Sequence, residues 1–180
     1  QVSHPEVVEL LYQYASQSEA RGFRDVAISA YGEYAGSSEN VSQVFRALLK
    51  RAQLSARGAD SAQALAHYAD LAARFPGRPE ALEALVGIAR LQLAAGEEPE
   101  AIVAGLLPVV DAPVRGAWTL EALELMAEST LRAGDVDASA QWIERLSAQG
   151  QAAGYAAAVR RAELAYFNGD CASVIDGLSA

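Results

Sequence analysis

The chain has 180 residues, of which 52% are hydrophobic and 21% charged, and its formal net charge is −9. That length and apolar content allow one ordinary domain or one continuous array with a substantial core, and they exclude a disordered tail. The acidic balance excludes a nucleic-acid partner, because phosphate neutralisation needs clustered Lys and Arg, and a lone cysteine excludes an internal disulfide and a cysteine-cluster metal site.

Much of the apolar content is alanine, the strongest helix former, while aromatics make up only 7%. β-Branched residues are sparse and rarely alternate with polar ones, so the chain reads as all-α. No apolar run approaches the roughly 20 residues that span a bilayer. There is no signal-peptide pattern, and a start at Gln1 without Met points to a processed or excised segment.

The first predicted helix opens at Ser3-His4-Pro5-Glu6, a capping box with proline in the first turn, and runs through VVELLYQYASQSEA. Gly22 separates it from a second helix carrying Ala27 and Tyr31. A longer turn at Ser37-Ser38-Glu39-Asn40 leads to VFRALLKRAQLSA, then Gly58, an N-cap at Asp60 and a helix with Ala64, Tyr68 and Leu71. Phe75-Pro76-Gly77 ends that unit, since proline cannot continue a helix and glycine accepts a left-handed turn.

Pro79 opens ALEALVGIARLQLAA, in which Leu82, Leu85, Ile88, Ala89 and Gln92 form one mostly apolar face. Gly96 and Pro99 begin its partner, and an irregular stretch follows at 111–116. LEALELMAESTLRA repeats the pattern with Leu120, Leu123, Met126, Ala127 and Thr130, then Gly134 and an N-cap at Asp135. AAAVRRAELAYF, Gly169 and the predicted cap Asp170 close the series. The five turn glycines are spaced by 36, 38, 38 and 35 residues. Each period is a helix, a glycine turn and another helix, giving five hairpins at roughly 3–36, 40–77, 79–112, 117–149 and 152–180 in one domain over 1–180.

This pattern resembles the tetratricopeptide repeat (TPR), a helical hairpin of about 34 residues. The second unit carries the resemblance best, with Ala52, Ala64, Tyr68, Leu71 and Pro76 at the family's small, aromatic and closing positions. Its equivalents are Ala15, Ala27 and Tyr31 in the first unit, and Ala89, Ala101 and Pro113 in the third, with Gly105 in the aromatic place. In the fourth they are Ala127, Ser139 and Ile143, and in the fifth Ala162, Val174 and Leu178. The resemblance implies a right-handed α-solenoid of about five antiparallel hairpins, with first helices lining a concave face. The last hairpin stops early, so the array continues beyond the chain or its end is frayed. LAARFPGRPEALEAL also looks like repeats of bacterial envelope assembly and secretion proteins, which implies a bacterial periplasmic or envelope setting, with the cytoplasm as the alternative.

Chemistry-bearing residues are few. Cys171 has no histidine in its own or the adjoining unit to act as base, and Asp170 would raise its thiol pKa, so packing inside the fifth hairpin accounts for it. His4 and His67 have no second ligand at metal spacing. Glu97-Glu98 and Asp135/Asp137 read as caps and first-turn charges. Trp142 reads as packed between hairpins, whereas Trp118, in the irregular stretch, is either turn packing or a contact. No catalytic residue, cofactor or metal is expected.

By resemblance, the concave face presents Glu9, Tyr12, Ser16 and Glu19, then Arg46, Leu49, Gln53 and Arg57, then Glu83, Val86 and Arg90. Glu121, Glu124 and Glu128 follow, and then Val159, Glu163, Tyr166 and Phe167. The Lys/Asn/Arg clamp with which some family members grip chaperone C-termini is missing, since Tyr12 and Ser16 stand in its places. The expected function is a non-enzymatic scaffold for a protein or peptide, within a larger bacterial protein. The alternative is a spacer whose end hairpins stack on other repeats or copies, through apolar residues such as Val174, Ile175 and Leu178.

Overall fold

Four helix ends in this chain share one hydrogen-bonded turn. Gly22, Gly96, Gly134 and Gly169 all lie in the left-handed region, with φ of 79°, 75°, 81° and 74°. Each glycine N–H bonds back to a last-turn carbonyl, as Gly134 does to Leu131 O at 2.9 Å. The next N–H reaches one carbonyl further, as Asp135 does to Thr130 O at 2.9 Å. This paired capping satisfies carbonyls that the helix leaves orphaned, and only glycine enters the region without a Cβ clash. Asp135 then starts the next helix, its carboxylate accepting from Ala138 N at 3.0 Å. Asp170 does the same with Ser173 N at 3.2 Å. Gly58 departs from the expected glycine turn: it lies outside the left-handed region, its N–H bonds to Ser55 O at 2.9 Å, and Asp60 caps two residues later.

The computed structural model describes residues 5–58, 60–170 and 172–174. Among the described residues it has nine α-helices and no strand. They follow as α1 (Pro5–Ala20), α2 (Arg24–Ser37), α3 (Val41–Ala56), α4 (Ser61–Arg74), α5 (Pro79–Ala95), α6 (Pro99–Val110), α7 (Ala117–Arg132), α8 (Val136–Ser147) and α9 (Gln151–Phe167). The helices gather into two compact units, Gln1–Leu91 and Gln92–Ala180, and consecutive helices pack together within each, α1 to α4 in the first and α6 to α9 in the second. The predicted first capping box at Ser3 and His4, and Cys171, Ile175 and Leu178, lie outside the described residues.

Counting from the residue that precedes each second helix, the positions four, eight and eleven later point inward. They are Ala27, Tyr31 and Tyr34 after Phe23, and Ala64, Tyr68 and Leu71 after Asp60. Ile102, Leu106 and Val109 follow Glu98, and Ser139, Ile143 and Leu146 follow Asp135. None of the twelve is more than 3% exposed. The third set corrects the sequence expectation of Ala101 and Gly105. Both Glu97 and Glu98 stand between Gly96 and Pro99, so this turn is one residue longer and the helix starts one place later. Ala101 and Gly105 therefore face out, and Ile102 and Leu106 take the inward places.

On the first helices, Ala15, Ala52, Ala89, Ala127 and Ala162 are all buried. A small residue lets a crossing helix approach closely, and at one crossing Ser139 Oγ donates to Ala127 O at 2.9 Å. In the first unit the Phe75-Pro76-Gly77 ending also packs: the Phe75 ring meets Phe45 edge-on with centroids 3.8 Å apart, and the Arg78 guanidinium lies 4.5 Å above the Phe45 ring.

Candidate functional site

In the first unit, polar pairs tie one first helix to the next. Lys50 Nζ of α3 donates to Glu19 Oε1 of α1 at 2.9 Å, and Gln53 Nε2 of α3 donates to Glu83 Oε1 of α5 at 3.1 Å. Glu19 also accepts from Tyr31 Oη of α2 at 2.8 Å. Burial works to raise the Glu19 carboxyl, but the hydrogen bonds from Lys50 and Tyr31, with the Lys50 and Arg57 charges, hold it below its ordinary value. Burial and the Glu19 carboxylate in turn raise the Tyr31 phenol.

The predicted face residues of this unit fall into three situations. Tyr12 is half-buried, meeting Tyr31 and Tyr34 edge-on at 5.6 and 5.1 Å, so its ring belongs to an aromatic cluster. Glu9 is exposed and lines a polar pocket of about 320 Å³ with Val8, Tyr34, Ser38, Asn40 and Gln43. The pocket's floor is already bonded: Tyr34 Oη donates to Gln43 Oε1 at 2.7 Å, and Asn40 caps α3 through Gln43 N. Arg46, Arg57 and Arg90 are exposed, whereas Gln53 is held in its pair with Glu83.

In the second unit, Glu121, Glu124 and Glu128 form a half-buried stripe along α7. From α9, Arg160 donates to Glu128 Oε2 at 2.9 Å and to Glu163 Oε2 at 2.7 Å. Arg132 adds a second guanidinium to Glu128 from the same helix. Burial raises the Glu124 carboxyl; Arg160 opposes that, and Glu121, Glu128 and Glu163 reinforce it. Tyr166 and Phe167, at the end of α9, are 75% and 55% exposed.

Sequence reasoning missed Lys50 and Arg160, naming their neighbours Leu49 and Val159 instead. Both cations stand two residues before the small buried alanine, at Ala52 and Ala162, so aligning the repeats on that alanine would have singled them out. It also missed a Ser–His pair: Ser55 Oγ lies 2.9 Å from His67 Nδ1. Arg51 O, 3.0 Å from Ser55 Oγ, competes with the imidazole for the hydroxyl proton. Burial, and then the Arg51 charge, lower the His67 pKa.

Trp118 is placed differently from the expectation of an irregular stretch. It sits in the first turn of α7, half-buried, its ring closed over Gly116, where an added Cβ would lie 2.5 Å from the indole. The missing side chain of Gly116 leaves room for the ring, so Trp118 packs on its own turn. Trp142 is half-buried, with the Arg145 guanidinium 5.1 Å above its ring. Among the described residues, no group of three or more His, Cys, Asp or Glu is arranged to hold a metal, and no helix is long and apolar enough to cross a membrane.

No family model matches the chain, and no curated protein sequence aligns with it significantly. Solved structures do match. Crystallised nearly identical TPR-like repeats of a Podosopora anserina protein described as a kinesin light chain superpose with a TM-score of 0.70 at 14% identity, covering 98% of this chain and 93% of that one. A single-substitution variant of those repeats gives 0.72 at the same identity and coverage. At that identity the likeness concerns the fold alone: the chain has an all-α, TPR-like helical-repeat fold.

Proposed function

We propose that the chain is a non-enzymatic scaffold that binds a protein or peptide segment along its first-helix faces. The observation that carries this reading is the set of cross-helix pairs, Glu19–Lys50 and Gln53–Glu83 in one unit and Glu128–Arg160 in the other. Such pairs hold neighbouring first helices in one arrangement before any partner arrives, which lowers the ordering cost of association. The exposed Arg46 and Arg57 of the first unit and the carboxylate stripe of α7 in the second suit a partner of mixed charge.

Selection of a random peptide library on the immobilised protein tests this. Peptides enriched on the wild type should lose binding to Arg46→Glu/Arg57→Glu or to Glu121→Lys/Glu124→Lys, and their affinity should fall with salt. Unchanged capture by both variants, with no salt dependence, removes these faces from the account. The setting we propose is a larger bacterial protein of envelope assembly, export or polymer secretion, on the strength of the LAARFPGRPEALEAL resemblance.

A second reading, a module that stacks on other repeats or copies, is favoured by the exposed aromatics of α9: Tyr155, Tyr166 and Phe167. Light scattering over a wide concentration range distinguishes the two, since a strict monomer counts against self-stacking.

A further inference from the structure

Where α2, α3 and α4 meet in the first unit, one cation has no counter-charge among the described residues. Arg51 of α3 is half-buried, and its Nε is shut off from solvent with no hydrogen-bond partner. Gly32 of α2 makes room for it: a Cβ there would lie 3.2 Å from both Cζ and Nε of Arg51, so the guanidinium rests against the α2 backbone. Ser55, one turn later on the same face of α3, has its hydroxyl 2.9 Å from Nδ1 of His67 on α4. The imidazole is half-buried too, and its Nε2 has no hydrogen-bond partner among the described residues. The carboxylates nearby are engaged elsewhere. Asp70, which acts on His67 from the next turn of α4, is paired with Arg74 at 2.8 Å. Glu33, beside Gly32 on α2, is exposed and accepts from Ser29 at 3.4 Å.

A buried donor on a charged group costs free energy until an acceptor reaches it. The group that answers a guanidinium best is an oxyanion, whose two oxygens match its planar fork. One guanidinium and one imidazole are too few to hold a nucleic-acid backbone, so the complementary ligand is a single anionic group. We propose that Arg51 and His67 form an anion site at the junction of α2, α3 and α4, which takes one carboxylate or phosphate group. Burial, and then the Arg51 charge, hold the His67 pKa below its ordinary value. An anion set between them offsets the Arg51 charge and favours the protonated imidazole, which then donates to it as well. The site uses none of the residues of the first-helix faces and stands or falls independently of them.

The probes are acetate and sulfate, a tetrahedral stand-in for phosphate whose charge is constant over the pH range used, each titrated against chloride at fixed ionic strength. The readout is the NMR titration of the His67 ring protons, with His4, the only other histidine, as internal reference. Saturating anion should raise the His67 midpoint by about one pH unit, which corresponds to about tenfold tighter binding to the protonated imidazole. A stronger response to sulfate assigns the site to phosphate groups, and a stronger response to acetate assigns it to carboxylates. Arg51→Met should abolish the response, and Arg51→Lys, which keeps the charge but not the fork, should weaken it. Gly32→Ala keeps every charge and favours the helix but crowds the guanidinium, so it should weaken binding several-fold in a protein whose fold, checked by circular dichroism, is kept. No saturable movement of the His67 midpoint with either anion overturns the proposal, as does an equal movement in Arg51→Met or at His4.

Discussion

The ring of Tyr68 on α4 packs against Gly87 on α5, so close that a Cβ built on Gly87 would fall 2.5 Å from Tyr68 Cζ. Gly87 is buried, and the ring is not the free end of a flexible chain, so the clash cannot be relieved cheaply. Alanine in a helix is favoured over glycine by about 1 kcal/mol, and overpacking a core costs about 1–3 kcal/mol. Gly87→Ala is therefore expected to destabilise by about 1 kcal/mol net in urea unfolding. Combined with Tyr68→Ala it should cost less than the two single changes added together. Gly105→Ala on α6, where no atom lies within 4 Å, is the control and should stabilise by about 1 kcal/mol.

Asp135 ends α7 through its N–H and starts α8 through its carboxylate. Asp135→Ala removes only the second bond, and loss of an N-cap typically costs about 1 kcal/mol. Glu98, at the matching place before α6, makes no side-chain cap. Glu98→Ser should gain part of what Asp135→Ala loses. Thermal or urea unfolding checks both, and equal effects of the same sign would count against this account of the turns.

These turns also show what was legible in the sequence. Asp60, Asp135 and Asp170 announce helix starts because a short side-chain acceptor has one local use there, and all three cap as expected. The one-residue insertion at Glu97-Glu98 was not legible: Ala101 and Ile102 are both acceptable inward residues, and only the turn's length decides between them. The Tyr68–Gly87 contact was invisible for a different reason. Each residue is ordinary in its own helix, and the pairing exists only once the two helices pack. On the faces, the carboxylates of α7 were legible as a stripe, but Arg160, reaching Glu128 from α9, depends on packing between repeats.

His67 gives a pH signature. Its folded pKa is lowered by burial and by Arg51, so the unfolded chain binds the proton more tightly. Stability is fully present above the unfolded value of about 6.5 and is lost as pH falls from there toward the lower folded value. Urea midpoints should drop between pH 7.5 and 5.5, and His67→Gln should flatten that slope. A wild-type midpoint unchanged over this range would show that the Ser55–His67 pair is not linked to folding.

Glu124 has the opposite sign. Its folded pKa is raised, so protonation favours the folded state, and the stabilisation present below the ordinary carboxylate range is lost as pH rises through the folded value. At neutral pH the charged carboxylate has Glu121 and Glu128 three and four residues away on one helix face, and each such like-charge pair costs about 0.2–0.5 kcal/mol. Glu124→Gln should therefore stabilise by roughly 0.5 kcal/mol at pH 7 and by nothing at pH 3.5. Arg160→Met tests the same cluster from the other side: with the guanidinium gone, the Glu124 pKa should climb further in an NMR titration. Glu128 would lose its partner on α9, and stability should fall, by less than the about 3–5 kcal/mol that breaking a fully buried pair costs, because Arg132 still holds Glu128. The two substitutions share one charge cluster and so should not add: in the double variant, Glu124→Gln should stabilise more than it does alone, because Arg160 no longer offsets the repulsion it relieves. A strictly additive result would mean that Arg160 acts on Glu128 and Glu163 without reaching Glu124.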